Sequence, residues 1–190
     1  MTYKHLSFVS LFAVAALSAS AQRNVENFNF GWQFHRGNID VTAINTSDGS
    51  WETINVPHDF QISQPWVAPA ANESEDNSDG ASNFKSRLSA RGFKEMGDGW
   101  YVKTYTPAAD MKGRRILLDF EGIMYVGDVY LNGKRIGGTD YGYLGFDIDV
   151  SKLLKYGQAN TIAVHASTSG PLNSRWYTGG GLYRDVKIVS

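Results

Sequence analysis

Two short stretches carry side chains whose types and spacing could do chemistry. Arg175-Trp176-Tyr177-Thr178-Gly179-Gly180-Gly181-Leu182-Tyr183-Arg184-Asp185 gathers two arginines, three aromatic rings and three consecutive glycines. Glycine admits positive φ and lets a backbone approach another surface closely, while Trp and Tyr beside Arg set flat apolar faces next to fixed hydrogen-bond donors. Such a run suits a sugar or another protein layer. A glycine turn leading into a last strand, with aromatics that only pack, accounts for it equally well. His58 and Asp59 form the second stretch. They follow Pro57, which closes an apolar run, so they sit at a strand-to-loop exit where side chains can face an adjoining site. The alternative is that Asp59 caps the following turn and His58 is a satisfied polar residue.

Other chemistries find no support in the sequence. The four histidines, His5, His35, His58 and His165, lack zinc-site spacing, and the absence of cysteine rules out a thiolate cluster. There is no Gly-x-Ser-x-Gly elbow and no Gly-x-Gly-x-x-Gly turn after a strand, so no cofactor is expected. Asp76 and Asp79 fall in an acidic stretch without the glycine and terminal glutamate of a calcium loop, which reads as solvated chain. A formal net charge of −1 argues against nucleic acid or an anionic membrane as partner.

The elements that must position these residues are strands. Phe146, Ile148 and Val150 alternate with Asp147 and Asp149, and Ile162 and Val164 alternate with Thr161, Ala163 and His165, the period of half-buried antiparallel strands. Further strands are predicted at 51–56, 100–106, 116–120, 125–131 and 186–189. Asn132-Gly133 between apolar-bearing runs predicts a type I′ hairpin. Ser151-Lys152-Leu153-Leu154-Lys155, closed by Gly157, predicts about one and a half turns of helix. The pattern is all-β, a jelly-roll β-sandwich with minimal helix. Residues 64–99 lose periodicity and read as a flexible surface loop. Trp32, Phe34, Trp100, Tyr101, Phe120 and Tyr130 are expected in the core or at an interface.

The first residues read as a targeting segment. Lys4 and His5 precede an apolar run from Leu6 to Leu17, and Ala19-Ser20-Ala21 supplies a signal-peptidase pattern. A signal peptide over 1–21 is expected, followed by one domain over 22–190, periplasmic or secreted, with no membrane association after cleavage. An exported chain without cysteine must draw its stability from a core.

Several motifs occur in an order that resembles a known family. They are Asn29-Phe30-Gly31-Trp32-Gln33-Phe34-His35-Arg36-Gly37, Trp51 to Asp59, Gly99-Trp100-Tyr101-Val102-Lys103, Asp119-Phe120-Glu121-Gly122-Ile123 with Val129 to Gly133, Gly142 to Phe146, and the Arg175 to Val186 run. Together, from about Phe28 to Ile188, they resemble the N-terminal sugar-binding domain of family 2 glycoside hydrolases, most of all β-galactosidases. The resemblance implies a galactose-binding-like jelly roll followed by an immunoglobulin-like sandwich and a (β/α)₈ barrel that carries the catalytic glutamates. Those missing domains are the expected partners, with a β-galactoside-like carbohydrate.

The resemblance also implies which residues meet substrate. The loop holding Asn173, Arg175 and Trp176 matches one that reaches toward the sugar pocket. Trp176 would stack on a ring, and Arg175 and Asn173 would hydrogen-bond neutral hydroxyls. No residue is expected to be catalytic. A retaining glycosidase needs two carboxyl groups about 5 Å apart across the scissile bond. Asp147 with Asp149, and Asp119 with Glu121, repeat at i and i+2, the outward solvated face of a strand. The chain is thus expected to be a domain truncated before its barrel and inactive alone. A free-standing carbohydrate-binding module, or a purely structural domain, remains open.

Overall fold

The structure is a computed structural model that describes residues 23–67, 92–169 and 177–190. The expected leader, most of the expected 64–99 loop, and Asn173, Arg175 and Trp176 lie outside the described residues.

Among the described residues, ten strands form two antiparallel sheets. They are β1 (Val25–Asn27), β2 (Trp32–Arg36), β3 (Glu52–Ile54), β4 (Asp98–Tyr105), β5 (Leu117–Phe120), β6 (Val126–Leu131), β7 (Lys134–Thr139), β8 (Phe146–Asp149), β9 (Asn160–Ser167) and β10 (Val186–Val189). One sheet runs β1-β10-β5-β8 and the other β3-β2-β4-β9-β6-β7. This is the expected galactose-binding-like β-sandwich. The core between the sheets holds Leu118 and Phe120 from β5, Val186 and Ile188 from β10, and Trp32, Phe34, Tyr101, Val129, Leu131, Ile162 and Val164 from the facing sheet. Each fully buried aliphatic side chain contributes roughly 1.5–3 kcal/mol.

Strand periodicity holds in β8, where Asp147 and Asp149 are exposed and Phe146 and Ile148 half-buried. It fails in β9. Ala163 is buried along with Ile162 and Val164, because the outer face of the six-stranded sheet has its own apolar layer. There Trp100, Val102 and Ala163 pack beneath Ile39, Val41, Ile44 and Trp51 of the β2–β3 connection. Five of the six expected core or interface aromatics are buried, and Tyr130 packs partly buried in this outer layer.

The Asn132-Gly133 hairpin joins β6 to β7, with φ of 51° and 81° at the two turn residues. The predicted helix at 151–155 is a single hydrogen-bonded turn. Leu153 N and Leu154 N both donate to Val150 O. Fully buried Asn160 then captures both backbone groups of Lys155: its Oδ1 accepts from Lys155 N at 2.9 Å and its Nδ2 donates to Lys155 O at 2.9 Å. A side chain that satisfies these groups removes the reason for a second helical turn.

Candidate functional site

His58 and Asp59 are positioned by a backbone ladder that crosses between the two ends of the chain. After β3, Val56 N donates to Asn29 O, His58 N to Leu182 O at 2.7 Å, and Phe60 N to Gly180 O at 2.9 Å. Phe60 is buried, stacked on Phe34 with ring centroids 5.7 Å apart, and fixes the segment against the core. The ladder lays residues 58–60 beside the glycine run.

Asp59 ties the two segments together. Its Oδ1 accepts from Gln61 N at 2.9 Å and from Gly180 N at 2.9 Å, and its Oδ2 accepts from the Tyr177 hydroxyl at 2.7 Å. The bond to Gln61 caps the turn that follows, one of the two roles the sequence allows. The other two bonds hold the stretch leading out of residues 173–176. Burial pushes the Tyr177 phenol well above its ordinary pKa, and the bond to Asp59 adds to the shift, so Tyr177 stays a donor.

His58 belongs to a second contact. Its Nδ1 lies 3.0 Å from the Tyr101 hydroxyl, and its ring meets Phe34 edge-on at 4.8 Å. Burial raises the Tyr101 pKa far above the usual phenol range, and burial lowers that of His58, opposed by Glu52 and Asp59. Both shifts fit a neutral His58 whose Nδ1 accepts the Tyr101 proton.

The glycines are required for this closeness. Gly181 has φ 112°, and a Cβ there would lie 2.0 Å from Tyr101 Oη and 3.0 Å from His58 O. Gly179 has φ 76°, and its Cβ would come within 2.7 Å of Asp59 Oδ2.

Of the expected binding residues, the structure brings His58 and Asp59 against residues 177–182. Asn173, Arg175 and Trp176 lie outside the described residues. Tyr177, Tyr101 and Gly180 complete the arrangement, and their partnership with residues 58 and 59 has no local sequence signal. Arg184 donates to the carbonyls of Glu121 and Tyr143. The strand acids face outward as expected: Asp119 and Asp147 are cross-strand neighbours, Lys187 pairs with Glu121, and Arg115 with Asp149 at 3.3 Å. Burial and Asp147 raise the Asp119 pKa. Among the described residues no group of three or more metal-ligating side chains converges, and no helix is long and apolar enough to cross a membrane.

Residues 86–173 match the family model described as glycosyl hydrolase 2 galactose-binding domain-like. The chain is 30% identical over 175 residues to a β-galactosidase of Bacteroides ovatus, covering 92% of this chain and 19% of that protein. It is 32% identical over 180 residues to a β-glucuronidase of Formosa agariphila, covering 88% of this chain and 17% of that protein. A solved β-glycosidase from Bacteroides vulgatus superposes with a TM-score of 0.72 at 31% identity, over 88% of this chain and 20% of that one. The chain therefore spans no more than about a fifth of the length of these relatives.

Proposed function

Because this chain carries the galactose-binding-like domain of glycoside hydrolase family 2, we propose that it is the sugar-contacting N-terminal domain of a secreted, β-galactosidase-like glycosidase. It supplies one wall of the substrate site. Asn173, Arg175 and Trp176 contact the sugar, His58 and Asp59 belong to the same site, and bond cleavage belongs to carboxylates of the parent enzyme's barrel. An immunoglobulin-like domain and that barrel are its partners within the parent enzyme.

The observation that carries this reading is the Asp59 carboxylate, which accepts from Tyr177 and Gly180 at once. A carboxylate committed to internal donors is placed to fix a loop rather than to attack a glycosidic carbon. Support also comes from relatives named β-galactosidase and β-glucuronidase.

Two measurements on the purified chain test the reading. Incubation with aryl β-galactosides should give no turnover above a heat-inactivated control. Replacing Arg175 or Trp176 with Ala should weaken binding of methyl β-D-galactopyranoside, measured by calorimetry, and leave the melting temperature unchanged. Turnover, or binding indifferent to both substitutions, contradicts the proposal.

A further inference from the structure

Tyr101 is fully buried in the middle of β4, and its hydroxyl reaches the half-buried His58 on the segment beyond β3. The oxygen lies 3.0 Å from His58 Nδ1 and 3.5 Å from His58 O. The glycine run keeps this space open, since a Cβ at Gly181 would stand 2.0 Å from Tyr101 Oη. His58 is held as closely as its partner. Its backbone N–H donates to Leu182 O at 2.7 Å, and its ring meets those of Phe34 and Tyr101 at steep angles, with centroids 4.8 and 5.7 Å away.

These contacts decide where one proton sits. A buried hydroxyl needs an acceptor, and 3.5 Å is the outer limit of a hydrogen bond, so the His58 carbonyl alone would leave it poorly paired. The Leu182 backbone favours the charged form of this phenol, which is the effect of an amide donor facing its oxygen. An oxygen that faces one donor turns its own proton to the nearest acceptor, and that acceptor is Nδ1. A neutral imidazole that accepts at Nδ1 carries its proton on Nε2. Glu52 and Asp59 are the acids whose charge reaches the ring, and burial outweighs both in keeping it neutral. His58 Nε2 has no partner among the described residues.

We infer that Tyr101 is a positioning residue that locks His58 in one orientation and one tautomer, so that the proposed sugar site presents Nε2–H as a fixed neutral donor to a sugar hydroxyl. This deepens the proposed function and rests on it for the identity of the acceptor. Tyr101 is sealed in the core and acts only through His58. An uncharged N–H meeting a hydroxyl oxygen forms a hydrogen bond without burying a charge, and a donor whose ring is already held loses little freedom on binding. Phenylalanine at position 101 would fill the same core space and leave the His58 ring without its anchor.

The test is long-range proton–nitrogen NMR of the histidine rings in the whole chain, titrated with pH and with methyl β-D-galactopyranoside. At neutral pH His58 should show a bare Nδ1 and a protonated Nε2, and the galactoside should shift Nε2 saturably. Tyr101→Phe removes a donor that favours the neutral ring and leaves Glu52 and Asp59 in place, so the His58 titration midpoint should rise by ~0.5 pH unit. Unmoved Trp32 and Trp51 indole signals report an intact fold. His58→Ala should weaken galactoside binding ~5-fold, and His58→Gln, whose amide reaches toward the Nε2 position, should weaken it less. A protonated Nδ1 in the unsubstituted chain overturns the assignment whether or not the variants fold, and so does an unchanged or lower midpoint in Tyr101→Phe. Galactoside shifts at residues 177–181 with Nε2 unmoved defeat the donor role and leave the proposed site standing; no shift anywhere defeats both.

Discussion

The Tyr177 hydroxyl donates to Asp59 Oδ2 at 2.7 Å across 118 residues of sequence, and Asp59 Oδ1 holds Gly180 N on the far side of the glycine turn. One carboxylate thus clamps both ends of the segment Tyr177–Gly180, directly after the residues assigned to sugar contact. Removing it leaves three partly buried donors, Gln61 N, Gly180 N and the Tyr177 hydroxyl, without this acceptor. Asp59→Ala should therefore destabilise the domain by about 3 kcal/mol, and Tyr177→Phe by about 1.5 kcal/mol. In urea denaturation the double variant should cost less than the sum of the single ones, because the two changes remove one shared bond. Additive costs would show that the two side chains are not coupled.

Gly181 tolerates no side chain. A methyl group would enter the space of the Tyr101 hydroxyl, and the φ of 112° disfavours any L-residue. Gly181→Ala should cost about 3 kcal/mol or more, read as a fall in melting temperature. Pairing it with Tyr101→Phe should recover part of the loss by removing the clashing oxygen. Lack of any recovery would assign the whole cost to the backbone.

Acid should loosen this region through His58. Burial depresses its pKa in the folded chain below the value near 6.5 of an unfolded one. The unfolded state then binds the proton more readily, so the His58 contribution is complete above about pH 6.5 and declines as pH falls through that value toward the folded pKa. Unfolding midpoints measured from pH 7.5 to 5 should drop, and the drop should be shallower in His58→Gln. An identical slope in the variant would remove His58 as the responsible group.

Asn160 should be the most sensitive polar residue away from the site. It is fully buried, and its side chain bonds the backbones of Lys155, Gln158 and Tyr105 as well as Asn132 Nδ2. Asn160→Ala leaves these groups unpaired and should cost about 3 kcal/mol. Asn160→Asp should also destabilise, since an acceptor-only group cannot donate to the three carbonyls. Hydrogen exchange of the 151–159 amides reports the loss directly, and unchanged protection there would contradict the role.

Much of the sandwich was legible because its signals are local. The Asn132-Gly133 turn announces its own backbone conformation, and the last strand occupies the expected residues 186–189. The outer apolar layer left a trace that alternation alone obscured: Trp100-Tyr101-Val102 and Ile162-Ala163-Val164 are continuous apolar runs, the mark of strands covered on both faces. The predicted helix failed for a nonlocal reason, since Asn160 competes for the backbone of Lys155 from the next strand. At the site, Pro57 marked the strand exit where His58 and Asp59 sit half-buried. Their donors lie elsewhere in the sequence: Tyr101 is 43 residues from His58, and Tyr177 is 118 residues from Asp59.

The most direct test of a sugar-contacting wall without catalysis is a backbone-amide NMR titration of the chain with methyl β-D-galactopyranoside. Saturable shifts clustered at residues 58–61 and 173–181, abolished in Trp176→Ala, are the expected result. No shift at millimolar sugar, or shifts confined to the outward acidic face around Asp119 and Asp147, would contradict it.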